Sequence, residues 1–251
     1  MLWPMDMPPP LEALPEDWSR ALAIVAHPDD MEFGSAAAVA RWTGQGKEVV
    51  YCMVTSGEAG IDGMHPDECR TTREAEEIES ARIVGVSTVE FLHQPDGILE
   101  YGVPLRREIT AVIRKHRPEI VITGNFQDRF GMGMLNQADH IATGRAVLDA
   151  VRDAGNRWVF PEQLVDGLEP WGGVRQVWEG ASPQAAHGVD TTDTFDAGVA
   201  SLAAHAAYID GLGWENWDPR EFLEGFGRQI GQRMGVAFAA AFEVYPIQWE
   251  G

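Results

Sequence analysis

Ala21-Leu-Ala-Ile-Val-Ala-His27-Pro28-Asp29-Asp30-Met31-Glu32-Phe33-Gly34 is the stretch that decides the fold. An apolar run of strand length breaks at a proline, and three of the four residues after Ala26 can bind a metal or move a proton. Gly34-Ser-Ala-Ala-Ala-Val-Ala-Arg-Trp42 then reads as part of a helix over roughly residues 31–45. A strand that runs into charged residues and turns into a helix is where open α/β folds keep their sites. The spacing His27-x-x-Asp30 sets two metal-type ligands three residues apart on one tight turn, with Asp29 between them as a spare carboxylate. Asp29 or Asp30 could cap the helix, but one capping residue suffices for that role. Three ionisable groups on one turn favour chemistry.

Working outward, Lys47 to Thr55 is a nearly continuous apolar, β-branched run, as expected of a buried parallel strand. It ends in the turn Ser56-Gly57-Glu58-Ala59-Gly60. Pro66 to Gly85 is a strongly charged helix whose apolar face is read as Ala75, Ile78, Ala81, Arg82 and Ile83. Val89 to Leu92 is a third strand, closed by Gln94-Pro95-Asp96-Gly97, and Val103 to His116 an amphipathic helix. Glu119 to Thr123 is a fourth strand, followed by a glycine- and methionine-rich loop and a helix from Ala138 to Ala154. This alternation gives βαβ units: an α/β, Rossmann-like, mainly parallel sheet with helices on both faces. The strand ends near residues 28, 57, 96 and 125 then share one rim, which gathers His27, Asp29, Asp30, Glu58, Asp96 and the loop before His140.

Beyond residue 155 the pattern weakens into an elaborated C-terminal part, with strands over 174–179 and 187–190 and helices over 194–208 and 219–242. Residues 1–20 read as a loosely held arm docking Trp18, and residues 21–251 as a single domain with its core over 21–155. Trp214 and Trp217 lie in a loop where packing outweighs sugar stacking. His187 and His205 default to core or surface roles.

With 251 residues the chain can bury a full core. A formal charge of −20 repels nucleic acid and anionic membranes. The chain shows no membrane span and no signal-type start, so a cytoplasmic protein is expected. Cys52 and Cys69 have no CxxC spacing and imply no disulfide. Neither a GxGxxG nor a GxxxxGK[ST] loop follows a strand, so nucleotide cofactors are not indicated. Asp139-His140 opens the helix after strand four. With His27 and Asp30 on the same rim, His140 completes two imidazoles and a carboxylate, the three-ligand, one-open-position pattern of a catalytic zinc site.

Ala26-His-Pro-Asp-Asp30, Ser56-Gly-Glu58, Arg73-Glu-Ala-Glu76, Pro95-Asp-Gly97 and Ala138-Asp-His140 together resemble the LmbE-like (PIG-L) family of metal-dependent de-N-acetylases. The resemblance covers roughly residues 20–155, and more weakly Val189-Asp190 through Ala204-His205. It implies zinc, or another divalent metal, on His27, Asp30 and His140, with Asp29 as general base. It also implies that Arg73 and Asp96 hold substrate hydroxyls, and it places Glu58, Gln137 and Asp139 in contact with substrate or behind the ligands. One departure stands out. Many members carry His-Pro-Asp-His before the last helix, whereas this chain reads Gln137-Ala138-Asp139-His140.

The expected activity is metal-assisted hydrolysis of an acetamide on an amino sugar, glycoside or small metabolite, releasing acetate and an amine. The expected partner is that small N-acetylated molecule, with no nucleic acid; a homo-oligomer is left open. A phosphoesterase and a non-catalytic sugar-binding protein on the same fold are the alternatives. The first usually gathers two metals, and the second should have lost Asp29 or a ligand.

Overall fold

Strand β2 (Arg20–Val25) is apolar from Ala21 to Val25 because both of its faces are covered there. Ala21, Ala23 and Val25 enter one core with Trp42, Tyr51 and Met53, while Leu22 and Ile24 enter a second with Ile109, Ile113 and Val147. The computed structural model describes residues 9–131 and 133–247. In it β2 lies parallel between β3 (Glu48–Thr55) and β5 (Ile120–Thr123), Leu22 facing Val50 on one side and Val121 on the other. Strand β4 (Thr88–Gln94) extends the sheet past β3, and β6 (Gln176–Gly180) extends it past β5. Strand β8 (Ala239–Pro246) runs antiparallel to both β6 and β7 (His187–Asp190), and the two-residue β1 (Glu12–Ala13) closes the far edge. The order is β1-β7-β8-β6-β5-β2-β3-β4, with β8 the one reversed strand.

Helices α1 (Ala36–Gly44), α2 (Pro66–Ile83), α6 (Phe195–Ala203) and α8 (Pro219–Met234) pack on one face. Helices α3 (Val103–His116) and α4 (Ala138–Gly155) pack together on the other. Two short helices, α5 (Glu162–Val165) and α7 (Ala206–Gly211), fill connections. The chain steps outward from β2 to β3 to β4 and then returns to β5 on the opposite side of β2. That reversal leaves a crevice beyond the carboxyl ends of β2 and β5, the place where such sheets bind ligands.

Five details differ from the sequence expectation. The first helix starts at Ala36, not near 31, and its N-cap is Ser35, so neither Asp29 nor Asp30 caps it. The expected helix over 219–242 stops at Met234 because Gly235 takes a left-handed conformation (φ 74°), and the alanine-rich run that follows becomes β8. The helix over 194–208 breaks into α6 and α7 around His205. Helix α2 buries Cys69, Arg73, Glu77, Ser80 and Ala81, while Ile78 is 54% exposed, so its inner face is largely polar. Of the arm expected over 1–20, residues 1–8 lie outside the described residues. Residues 9–20 are tied down: Leu11, Leu14 and Trp18 are buried, and Trp18 meets Trp42 and Trp178 edge-on at 5.5 and 5.9 Å. Both cysteines are free and buried. Among the described residues no helix is long and apolar enough to cross a membrane.

Candidate metal centre

The turn after β2 presents His27, Asp29 and Asp30, and the first turn of α4 presents Asp139 and His140 from the other side of the crevice. His27 Nδ1 and His140 Nε2 are 3.1 Å apart, and Asp30 Oδ1 lies 3.0 Å from His140 Nε2. One donor atom from each of these three residues falls within 4.8 Å of the others. The Asp30 carboxylate is itself oriented by the main chain, its Oδ2 accepting the His27 N–H at 2.9 Å.

Supporting groups fix which nitrogen of each imidazole faces inward. His27 Nε2 lies 3.1 Å from Asp96 Oδ1 and 3.3 Å from Asp139 Oδ2, so the ring proton belongs on Nε2. Both carboxylates are anchored in turn. Asp139 accepts from Gly97 N (2.7 Å) and Leu99 N (3.0 Å), and Asp96 Oδ2 accepts from Ala59 N (2.8 Å). Glu58 stands behind them, its Oε1 accepting from Asp96 N at 3.3 Å and from Arg70 at 3.5 Å. On the other side, Asn136 Nδ2 donates to the Asn125 and Gln127 carbonyls, which makes its Oδ1 the atom facing His140 Nδ1 at 2.9 Å. His140 therefore carries its proton on Nδ1 and leaves the Nε2 lone pair free. Two lone pairs and a carboxylate oxygen thus converge on one point. Atoms that only accept repel one another unless a cation lies between them. A proton serves one pair; a divalent cation serves all three. Donor identity and number suit zinc with an open position, and each imidazole has the acceptor behind it that metal-binding histidines use.

The two neighbouring carboxyls are driven in opposite directions. Burial opposes ionisation of Asp30, but His140 and His27 beside it hold its carboxyl well below the usual range. Asp29 is raised, by burial first, and the Asp30 charge adds to that effect while Arg73 partly offsets it. Burial also disfavours charge on His27, yet Asp139, Asp30 and Asp96 outweigh it and lift the imidazole well above its ordinary value.

Asp29 stays off this three-atom cluster. Its Oδ1 sits 2.9 Å from Arg73 Nη2, and the ring of Tyr208 of α7 stacks 3.9 Å from the Arg73 guanidinium. Arg73 is 2% exposed, and it also donates to the Pro28 and Gly57 carbonyls. Gln137 is exposed; its main-chain N–H donates to Asn136 Oδ1. Asn136, Glu77 and Tyr208 carry no signal in the sequence alone: Asn136 is one residue before Gln137, and Tyr208 ends an ordinary helical pattern. His205 is fully buried behind the turn, 3.6 Å from Glu32 and 3.7 Å from Glu77.

The sequence profile of the PIG-L, GlcNAc-PI de-N-acetylase family matches residues 22–151, just over half of the chain. The chain belongs to this family, and with it to the de-N-acetylases. A diacetylchitobiose deacetylase of Thermococcus kodakarensis is 29% identical over 232 residues, covering 92% of this chain and 84% of that protein. A 1D-myo-inositol 2-acetamido-2-deoxy-alpha-D-glucopyranoside deacetylase of Saccharopolyspora erythraea is 27% identical over 183 residues, covering 62% of this chain and 64% of that one. Among solved structures, N,N'-diacetylchitobiose deacetylase of Pyrococcus horikoshii superposes with a TM-score of 0.84 at 25% identity, covering 92% of this chain and 85% of that one.

Proposed function

We propose that this chain is a zinc-dependent hydrolase that removes the acetyl group from an N-acetylated amino sugar, with a short N-acetylglucosamine glycoside as the favoured substrate. The observation that carries the metal is the meeting of His27 Nδ1, His140 Nε2 and Asp30 Oδ1, each with its other side already engaged. The sugar class rests on the deacetylases to which the chain is similar along most of its length.

His27, Asp30 and His140 would hold the ion, which when bound supplies a Lewis acid at the acetyl carbonyl. Asp29, held beside the three ligands but not among them, takes a proton from the attacking water as the carbon–oxygen bond forms. Its raised affinity for protons suits that task, because a base near the working pH is more effective than an ordinary carboxylate. The protonated Asp29 then returns the proton to the departing nitrogen, and acetate and amine leave. Arg73, backed by the Tyr208 ring, orients the Asp29 carboxylate, while Asp96, Asp139 and Asn136 fix the two imidazoles.

The test is to offer the zinc-loaded protein a panel of N-acetylglucosamine, N,N'-diacetylchitobiose and N-acetylglucosaminides, and to assay free amine and acetate. Equimolar amine and acetate are expected. Release of phosphate from phosphoesters, with no amine from any acetamide, would mark a phosphoesterase instead.

A further inference from the structure

Asp29 has a φ of +108°, beyond the left-handed basin near 55° that holds the other five described non-glycine residues of positive φ. A residue stays in so sparse a region only when its surroundings over-determine it. Here two side chains of α2, one helical turn apart, grip it. Glu77 Oε2 accepts the Asp29 main-chain N–H at 3.1 Å, while Arg73 binds the Asp29 carboxylate and the carbonyl of Pro28. Glu77 is fully buried, and its second oxygen, Oε1, has no partner. Burial, with Glu32 beside it, pushes the proton affinity of this carboxyl well above the usual carboxylate range; a buried polar group is costly, so a purely structural purpose would be better met by an apolar side chain. Glu32 and His205, also buried, lie beside Glu77: His205 Nε2 is 3.7 Å from the same Glu77 Oε2 and 3.6 Å from Glu32 Oε2.

We infer that Glu77 is a positioning residue for the catalytic base, acting through the main-chain N–H of residue 29. Resting on the assignment of Asp29 as that base, it completes a clamp in which one helix face fixes the residue at both its main chain and its side chain. The exchange of a few tenths of an ångström at a reacting carboxylate is enough to slow proton transfer, since misplacement by about 1 Å costs on the order of 10²-fold.

The crossed variants Glu77→Gln and Glu77→Asp separate reach from the carboxyl group itself. Glutamine keeps an oxygen at the same distance without a titratable proton; aspartate keeps the carboxyl but falls one methylene short. Both should be measured for kcat, KM, zinc affinity and hydrogen exchange at the Asp29 amide, beside Asp29→Asn. The expected result is a kcat loss of about tenfold or more in Glu77→Asp, with KM and zinc affinity held and faster exchange at Asp29. Glu77→Gln should recover most of that kcat and the slow exchange. The reverse order, parental kcat and exchange in both variants, or equal losses that track a lowered melting temperature would each overturn the clamp. Full activity in Asp29→Asn would instead remove the base assignment, and the exchange rates would still decide whether Glu77 holds residue 29.

Discussion

Asp29 and Asp30 are adjacent, both are carboxylates, and the fold turns them into different surroundings. Asp30 turns toward two imidazoles and stays ionised; Asp29 turns toward a buried guanidinium and holds its proton more tightly than usual. Each should therefore fail differently. Asn at position 29 keeps the shape and tolerates positive φ, so Asp29→Asn should bind zinc as the parent does and lose about 10²-fold or more in kcat. Zinc content by elemental analysis, beside the turnover rate, checks both halves. His140→Ala should lose zinc and activity together while the far-UV dichroism stays native; unchanged zinc affinity there would displace His140 from the ligand set. The protons give a further handle. Because carboxylates raise His27 above its ordinary 6.5, a proton competes with the metal for Nδ1 already at neutral pH. Zinc affinity should fall as pH is lowered through the neutral range, and binding should release protons. Titration calorimetry in two buffers of different ionisation enthalpy measures that release directly; none in either would contradict it.

Helix α2 and the turn after β3 meet around Arg73. A Cβ at Gly57, whose φ is 65°, would fall on the Arg73 Nη1. Gly57→Ala should therefore push the guanidinium off Asp29, lowering kcat by about tenfold and stability by about 1 kcal/mol for the positive φ alone. Parental kinetics in that variant would show that Arg73 can move without consequence. The same helix explains what the sequence did and did not reveal. Strands β2, β3 and β5 were legible because a strand buried on both faces must be apolar throughout, and their charged ends then stood out. The inner face of α2 was not legible: Arg73 and Glu77 at i and i+4 look like a solvated ion pair, while the exposed Ile78 looks like core. Polar residues were buried there because the turn they grip needs them, and periodicity weighs only hydrophobicity. Strand β8 was lost for a different reason, since Val236 to Phe242 fits helix and strand alike and Gly235 alone marked the boundary.

At the scale of the molecule, the three candidate ligands come from segments more than a hundred residues apart, on opposite sides of the crevice between β2 and β5. An ion bound there ties those segments together and stabilises only the folded chain. At a free zinc concentration about 100 times the dissociation constant the gain is about 2.7 kcal/mol. That corresponds to a rise in melting temperature of roughly 5–10 °C for a chain of this size. Differential scanning of chelated and zinc-loaded protein should show it, and coincident transitions would exclude a preformed site.

The reversed strand β8 also sets an order of events during synthesis. It lies between β6 and β7, so β7 and β1 reach the rest of the sheet only through it. A ribosome that has just finished β7 at Asp190 must add Thr191 through Phe242 before that strand has β8 beside it. Until then the nascent chain carries an open edge at β6 and an unattached pair of strands, the kind of edge that recruits other chains. A chain arrested at residue 238 should consequently engage chaperones or aggregate although every residue of the metal centre has already been made.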